Sequence, residues 1–268
     1  LVDYSQDVFD SIVEDFKQFS AKLEVPDIRY VPISALHGDN VVERSPNMPW
    51  YEGPTLMYLL ETIHIASDHD LVNCRFPVQY IIRPFSNEYH DYRGYAGRVA
   101  GGIFKPGDKV MVLPSGFTTH IKAIETYDGP VQEAFPPMSV TILLEDEFDI
   151  SRGDMLVREN NVPQVGQDLD LMLVWFNEKP LRLNGKYALF HTTKQVRCLV
   201  KEIKYKVDIN TLHRNLEDKN VGLNEIARVS IRTTQPLFYD KYRINRNTGS
   251  VILVDELTNE TVGAGMII

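Results

Sequence analysis

The spacing of hydrophobic side chains changes once along the chain, close to residue 72. In the first part, apolar residues recur every three or four positions and form one face of a predicted amphipathic helix: Val8, Ile12, Phe16 and Phe19. Ser5 is the expected N-cap of this helix, because its hydroxyl can accept a hydrogen bond from a free backbone amide. Asp7 then lies in the first turn, where the helix dipole favours negative charge.

A second helix is predicted over residues 55–63, with Thr55 as its cap. Between the two helices, residues 28–33 form a short β-rich run, and a polar loop covers residues 37–54. A helix, a strand and a further helix are how an α/β nucleotide-binding domain ends. Residues 1–71 are therefore predicted to be the C-terminal portion of such a domain.

From residue 72 onward, short β-branched and aromatic runs are separated by Gly, Pro and Asp. The middle of the chain has six predicted strands, at residues 76–82, 95–103, 109–113, 119–124, 140–144 and 150–157. The last part has six, at residues 169–176, 187–191, 195–205, 225–233, 242–245 and 251–257. Turns are predicted at residues 181–185 and 247–249, and a short helix at residues 210–216. Short strands with turn signals at this spacing indicate a barrel or a sandwich, and we predict two successive antiparallel β-barrels, over residues 72–163 and 164–268.

Charge is spread unevenly along the chain, whose formal net charge is −9. Residues 1–71 hold 4 basic and 13 acidic side chains, residues 72–163 hold 9 and 12, and residues 164–268 hold 15 and 12. An overall negative field does not favour phosphate backbones, so we expect no nucleic-acid partner.

A basic cluster in the last part consists of Lys201, Lys204 and Lys206. Strand alternation places Lys204 and Lys206 on one face and Lys201 on the other. Two interpretations stay open, a contact with a phosphate or a partner, and a plain solvent-exposed surface.

Cysteine and histidine spacing argues against a disulfide framework and a metal site. Cys74 and Cys198 lie far apart without C-x-x-C spacing, which fits a reducing compartment. His64 and His69 lack the H-E-x-x-H arrangement of zinc ligands, so no metal is expected. No run of about 18 apolar residues and no basic leader occurs in the sequence. We therefore expect no membrane association and a cytoplasmic location.

One segment combines a strand, a glycine turn, a second strand and a Pro-Gly-Asp turn. It reads Arg93-Gly94-Tyr95-Ala96-Gly97-Arg98-Val99-Ala100-Gly101-Gly102-Ile103-Phe104-Lys105-Pro106-Gly107-Asp108-Lys109-Val110. It resembles the signature of the second domain of translation-factor GTPases, a small β-barrel that follows the nucleotide-binding domain. Residues 147–156 resemble the motif that closes this barrel in the same family. Ser34, Ala35 and Leu36 resemble the fifth GTPase motif, in which the backbone amide of the alanine contacts the guanine carbonyl.

Finer matches resemble the large, GTP-binding subunits of bacterial sulfate adenylyltransferases, and they cover essentially the whole chain. They are residues 48–56, 76–80, 93–102, 154–157 and 187–193. The resemblance implies a two-subunit enzyme in which a small catalytic subunit transfers the adenylyl group of ATP to sulfate. GTP hydrolysis on the large subunit would then drive formation of adenylyl sulfate, with Ser34, Ala35 and Leu36 as guanine contacts. Some relatives continue into an adenylyl-sulfate kinase domain, which we note as a possible C-terminal fusion.

The sequence departs from this family because no G-x-x-x-x-G-K-[ST] loop and no Asn-Lys-x-Asp guanine clamp occurs in it. The resemblance implies that the chain starts partway into a GTPase domain. GTP and Mg²⁺ are therefore expected only in the complete protein, and residues 1–268 alone should bind no GTP and have no activity. No catalytic residue is assigned.

Two alternatives stay open. The first is a translation-factor relative whose barrels carry aminoacylated RNA, which would require basic stripes across both barrels. The second is a protein-interaction module without any nucleotide role.

Overall fold

The computed structural model describes residues 2–23, 25, 27–63, 69–84 and 92–268. The chain separates into two compact units, residues 1–68 and residues 69–268. The first unit contains both helices, and the second contains two seven-stranded antiparallel sheets.

The first unit has helix α1 at Gln6–Ser20 and helix α2 at Leu56–Thr62. Both predicted caps are confirmed. The Ser5 hydroxyl accepts from the backbone N–H of Val8 at 3.4 Å, and the Thr55 hydroxyl accepts from that of Tyr58 at 3.5 Å.

The strand predicted at residues 28–33 is wrong, since the structure assigns no regular element there. A strand needs a hydrogen-bonded neighbour. The described residues of the first unit pair with each other only through one isolated bridge, between Ser34 and Asp39. An apolar run therefore stays extended without becoming part of a sheet.

The first barrel consists of seven strands: β1 at Arg75–Ile82, β2 at Gly94–Arg98, β3 at Lys109–Leu113, β4 at Thr118–Thr126, β5 at Gly129–Val131, β6 at Ser139–Leu144 and β7 at Met155–Val157. The strand order is β3-β7-β1-β2-β6-β4-β5, and pairing of β3 with β4 closes the sheet. Alternate residues point inward along each strand, so the core is filled by side chains such as Phe76, Ile124 and Ile142.

The second barrel consists of strands β8 at Gln164–Trp175, β9 at Lys186–His191, β10 at Lys194–Val207, β11 at Arg214–Asn215, β12 at Ile226–Tyr239, β13 at Ser250–Val254 and β14 at Thr261–Ile267. Their order is β11-β10-β12-β8-β14-β13-β9, and β9 pairs with β10 to close the barrel. Of the predicted fold, an α/β tail followed by two antiparallel β-barrels, the two barrels are confirmed.

Two predicted elements of the second barrel are wrong. Residues 210–216 are not a helix, because the Asp208 carboxylate accepts from the amides of Asn210 and Thr211 and closes a turn. Residues 242–245 are not a strand. There the side chain of Asn245 accepts from two amides of a turn that continues to residue 249. In both places, side-chain bonding to the backbone replaces the regular element.

The two barrels share an apolar contact within the second unit. Leu113, Met155 and Val157 come from β3 and β7 of the first barrel, and Phe238 comes from β12 of the second. All four side chains are buried. The barrels therefore bury hydrophobic surface against each other, in addition to the core that each contains.

Candidate functional site

The predicted guanine-contact residues form an exposed turn in the first unit. The backbone N–H of Ser34 donates to the carbonyl of Asp39 at 3.2 Å, and that of Gly38 donates to the carbonyl of Ser34 at 2.7 Å. Between these bonds, Ala35 is exposed and Leu36 is 88% exposed. Within the described residues, the Ala35 amide donates to no protein acceptor. The turn therefore presents a backbone donor to solvent.

A buried carboxylate, that of Asp39, holds this turn in place. Its Oδ1 accepts from the Ser45 hydroxyl at 2.5 Å and from the Asn47 side-chain amide at 3.3 Å. Its Oδ2 accepts from the Tyr4 hydroxyl at 3.0 Å. The hydrogen bond from Ser45 is the main reason that the pKa of Asp39 lies below its ordinary value. The ionised side chain is therefore the organising group of this loop.

Further hydrogen bonds connect the chain segments that surround Asp39. The indole N–H of Trp50 donates to the carbonyl of Tyr4 at 3.0 Å. The Asn40 side chain donates to the carbonyl of Pro32 at 3.0 Å and accepts from the amide of Ser45 at 2.9 Å. Sequence reasoning missed both Asp39 and Asn40, although an Asp-Asn pair in a polar loop is a typical signal for side-chain bonding to backbone.

The exposed turn fits a contact with a guanine base, because a backbone donor without a partner is available there. The described residues offer no comparable fit for a triphosphate with Mg²⁺. The phosphate-binding loop is absent from the sequence, and the described residues contain no group of His, Cys, Asp or Glu that could hold a metal ion. His64, considered above with His69, lies outside the described residues.

The glycine-rich signature surrounds the start of β1, where backbones approach closely. A Cβ on Gly101 would lie 2.4 Å from the carbonyl oxygen of Asn73, and one on Gly102 would lie 2.5 Å from the Cα of Cys74. Gly102 also has a φ of +69°, in the left-handed region that favours glycine. The Arg75 N–H donates to the Gly101 carbonyl at 2.9 Å. These glycines let the loop wrap around Arg75.

Arg75 joins the two barrels through a buried ion pair. Its side chain is 2% exposed, and its Nε and Nη2 donate to the two carboxylate oxygens of Asp240 at 2.8 and 2.9 Å. Its Nη1 donates to the backbone and side-chain oxygens of Asn161, at 2.7 and 2.9 Å. A paired and fully bonded buried charge of this kind fixes one geometry. The family signature therefore supports a connection between domains.

The network continues into the second barrel. Thr248 donates its hydroxyl to the Asp240 carboxylate at 2.7 Å, and its carbonyl lies 2.7 Å from Nε2 of the buried His191. Burial lowers the pKa of His191, which favours the neutral ring. Asn245 adds a second link, because its side-chain amide donates to the carbonyl of Ala100 in the first barrel at 2.8 Å. Charge, hydrogen bonds and apolar packing together connect the barrels.

The three lysines of the predicted basic cluster all make ion pairs, which supports the interpretation as a plain surface. Lys201 pairs with Asp168 at 3.1 Å, and Lys204 pairs with Asp170 at 2.7 Å. Lys206 pairs with the carboxylates of Asp218 and Glu225, at 2.7 and 2.6 Å.

The face predicted for Lys201 is wrong, since Lys201 and Lys204 bind aspartates on the same side of β8. Irregular pairing of β10 with β12 between Val200 and Glu202, and again between Ile203 and Tyr205, shifts the alternation.

Comparison with known proteins shows which family this chain is related to. Residues 168–268 match the GTP-eEF1A C-terminal domain-like family. The chain is 49% identical to sulfate adenylyltransferase subunit 1 of Bacteroides fragilis, across 100% of this chain and 55% of that protein. This chain is a homologue of sulfate adenylyltransferase subunit 1. The family resemblance expected from the sequence is thereby confirmed.

A second relative is named as a bifunctional enzyme. This chain is 49% identical to the bifunctional enzyme CysN/CysC of Mycobacterium tuberculosis, across 100% of this chain and 44% of that protein. The chain therefore spans about half the length of the curated relatives it matches.

Solved structures with the same fold include a translation elongation factor. A structure of sup35 complexed with GDP superposes with a TM-score of 0.67 at 17% identity, covering 99% of this chain and 65% of that one. Translation elongation factor SelB from Methanococcus maripaludis gives 0.58 at 18% identity, covering 80% and 45%. At this identity the likeness shows the fold alone. Neither helix in the described part of the homologue has the length and apolar character needed to cross a membrane.

Proposed function

We propose that this chain belongs to the GTP-binding subunit of a cytoplasmic sulfate adenylyltransferase that serves sulfate assimilation. The observation that carries the proposal is the 49% identity, over the whole chain, to sulfate adenylyltransferase subunit 1 of Bacteroides fragilis. In this proposal a separate small subunit forms adenylyl sulfate from ATP and sulfate. The present subunit couples GTP hydrolysis to that reaction. The name of the CysN/CysC relatives makes a C-terminal adenylyl-sulfate kinase a further candidate partner.

The guanine contact is assigned to the turn of Ser34, Ala35 and Leu36. The exposed Ala35 amide, which has no partner among the described residues, supports this role. The buried Asp39 carboxylate fixes the turn, so the donor is oriented before a base arrives, which limits the ordering that binding requires. Phosphate and Mg²⁺ contacts belong to parts of the complete protein outside this sequence.

The paired barrels suit a subunit that transmits a conformational change. Coupling between two sites requires an element with two arrangements that both sites influence. Rigid-body rotation of a domain is one such element. The Arg75–Asp240 pair and the apolar contact around Phe238 support movement of both barrels together. We propose that the barrels carry the response to GTP toward the small subunit.

The proposal is tested with the complete gene product co-expressed with its small subunit. We expect the two to purify together and adenylyl sulfate formation to rise when GTP is hydrolysed. Ala35→Pro removes the proposed backbone donor, and we expect it to weaken guanine nucleotide binding about tenfold or more. Ala35→Ser keeps the N–H and is the matched control. Equal affinity of the proline and serine variants for a fluorescent GTP analogue would remove the guanine assignment.

The alternatives give different results in the same preparation. A barrel pair that carries aminoacylated RNA would retain tRNA on a filter, with a steep loss of affinity as salt rises. An interaction module without a nucleotide role would purify with the small subunit and show no GTP dependence of the reaction.

A further inference from the structure

A cleft of about 230 Å³ lies between the two barrels and has no role in the function proposed above. The first barrel contributes Gln79 and Arg98 to its wall, and the second contributes Thr192, Thr193 and Asn247. The volume exceeds that of a single water molecule, about 30 Å³, several times over. A small molecule or ion with several heavy atoms therefore fits.

The charge around this cleft is positive. Arg98 is exposed, and its Nε donates only to the carbonyl of Pro137, at 3.3 Å. Arg152 borders the cleft through a hydrogen bond of 3.0 Å to the carbonyl of Gln79. Lys194 follows the Thr-Thr turn directly, but its ammonium group donates to the carbonyl of Pro236 at 3.1 Å and lies over the ring of Phe238. Neither arginine forms a salt bridge with a carboxylate in the described ranges, in contrast to Lys201, Lys204 and Lys206.

Asp154 carries the negative charge that interacts with the Lys194 ammonium group. Burial raises the pKa of Asp154, and the carboxylate accepts from the Ser151 amide at 2.8 Å. The two arginines therefore give the cleft a positive field, which favours an anion with more than one charge.

The Thr192-Thr193 turn brings an unsatisfied donor to the same place. The Thr193 hydroxyl is shielded from solvent and has no hydrogen-bond partner among the described residues. Buried hydroxyls are normally bonded, so this one is a donor without an acceptor at the wall of the cleft. Thr192 has a φ of +49°, a conformation that β-branched residues rarely adopt. Strained backbone of this kind concentrates at ligand-binding positions.

The turn is also held firmly relative to the first barrel. Nε2 of His191, the residue directly before the turn, lies 2.7 Å from the carbonyl oxygen of Thr248. The hydroxyl of Thr248 donates to Asp240 of the interbarrel ion pair. On the opposite side, a Cβ on Gly153 would lie 3.3 Å from the Cα of Lys194. Donors from both barrels therefore face one cleft in a fixed arrangement, as a preformed site requires.

We propose that this cleft binds a divalent tetrahedral oxyanion, either a free ion or the terminal group of a small molecule. A guanidinium group matches two oxygens of such an ion at once, and the Thr193 hydroxyl and the side-chain amides of Gln79 and Asn247 supply further donors. The assignment uses residues of the barrels only and does not depend on GTP binding or on the small subunit.

The test titrates the 268-residue chain with sodium sulfate, with ionic strength held constant by sodium chloride. Backbone amide NMR signals of Thr192, Thr193 and Asn247 are followed. We expect saturable shifts at these residues, and none when chloride replaces sulfate. Parallel titrations with phosphate and with adenylyl sulfate distinguish a free-ion site from one that takes a nucleotide-linked group.

Two variants test the contacts directly. Arg98→Ala should weaken binding about tenfold or more, whereas Arg197→Ala, an exposed arginine paired with Glu256, should leave it within about twofold. Thr193→Val removes an unpartnered hydroxyl without changing shape, so it should keep or raise the melting temperature while weakening binding. Unchanged affinity in Arg98→Ala or Thr193→Val, equal loss in Arg197→Ala, or absence of saturable shifts overturns the proposal.

Discussion

Met48 is the one fully buried hydrophobic side chain among the described residues of the first unit, whereas each barrel encloses a contiguous apolar core. Hydrophobic residues of α1 and α2 stay exposed, among them Ile12 at 58% and Leu60 at 60%. The first unit is held by polar contacts around Asp39 and by partly exposed ring contacts such as Phe9 with Trp50, whereas the second is held by burial. Burial supplies most of the free energy of folding, whereas single hydrogen bonds contribute little net. We therefore expect residues 1–68 to open at a lower free energy than the barrels.

The strongest test of the barrel pair is Arg75→Met, which leaves the buried Asp240 carboxylate without its cationic partner. We expect the free energy of unfolding to fall by about 3–5 kcal/mol, because breaking one side of a buried ion pair strands the other charge. Chemical denaturation of the chain measures it, with Arg197→Met as the exposed control. The double variant Arg75→Met/Asp240→Leu should recover much of the loss, since it leaves no charge behind. A single variant as stable as the control would show that the ion pair does not join the barrels.

A smaller effect is expected on the outer face of the second barrel at Asp170. Burial raises the pKa of this carboxyl, but hydrogen bonds from Lys204, Ser230 and Arg228 outweigh it and lower the pKa to about 2. A lowered pKa gives stability that is complete above the ordinary value of 3.8 and is lost as the pH falls through about 2.

Asp170→Asn should therefore cost about 1–2 kcal/mol at pH 7, after allowance for solvent screening, and progressively less in acid. Urea denaturation at several pH values measures the difference. The Asp168 carboxylate, which pairs with Lys201 and Arg232, is 54% exposed. Asp168→Asn should therefore lower the free energy of unfolding by less than about 1 kcal/mol. A pH-independent cost at Asp170 would indicate a packing effect instead.

The sequence allowed the barrels to be predicted better than the first unit, for a physical reason. Inside a closed barrel, alternation and turn residues determine most strands locally, so β3 was predicted with its observed bounds and β1 within one residue at its start. The run at residues 28–33 has the same local character, yet a strand also needs a partner, which no pattern in the run itself can supply. Local pattern determines an element only where the rest of the sheet is present.

The contacts that join distant parts of the chain could not be predicted. Arg75 and Asp240 lie 165 positions apart, and neither stands in a pattern that announces an ion pair. The shared face of Lys201 and Lys204 results from an irregularity in strand pairing between Val200 and Glu202, which depends on the neighbouring strand and not on alternation. The exposed turn at Ser34–Leu36 was found by resemblance, whereas Asp39, which fixes it, became evident only from the fold.

Acid should open the first unit through Asp39. The hydrogen bond from Ser45 lowers the pKa of Asp39, so its contribution is present above the ordinary value of 3.8 and is lost as the pH falls below it. The NMR signal of the Trp50 indole N–H, which donates to Tyr4, reports the change. In Asp39→Asn we expect the altered signal already at pH 7 and no further acid transition. Asp27→Asn, an exposed carboxylate paired with Arg29, is the control and should titrate as the unmodified chain does.

The smallest expected effect is at the exposed apolar side chains of α1 and α2. Ile12→Ser and Leu60→Ser should each change the free energy of unfolding by less than about 0.5 kcal/mol, because these side chains lose little burial. The same exchange at Ile142, which is fully buried in the first barrel, leaves a cavity and an unpaired hydroxyl in an apolar core, and we expect it to destabilise strongly. Denaturation of the three variants, followed by hydrogen exchange at residues 6–20, measures both effects. A loss at Ile12 comparable to that at Ile142 would mean that the first unit is held by apolar packing after all, and the contrast between the two units would disappear.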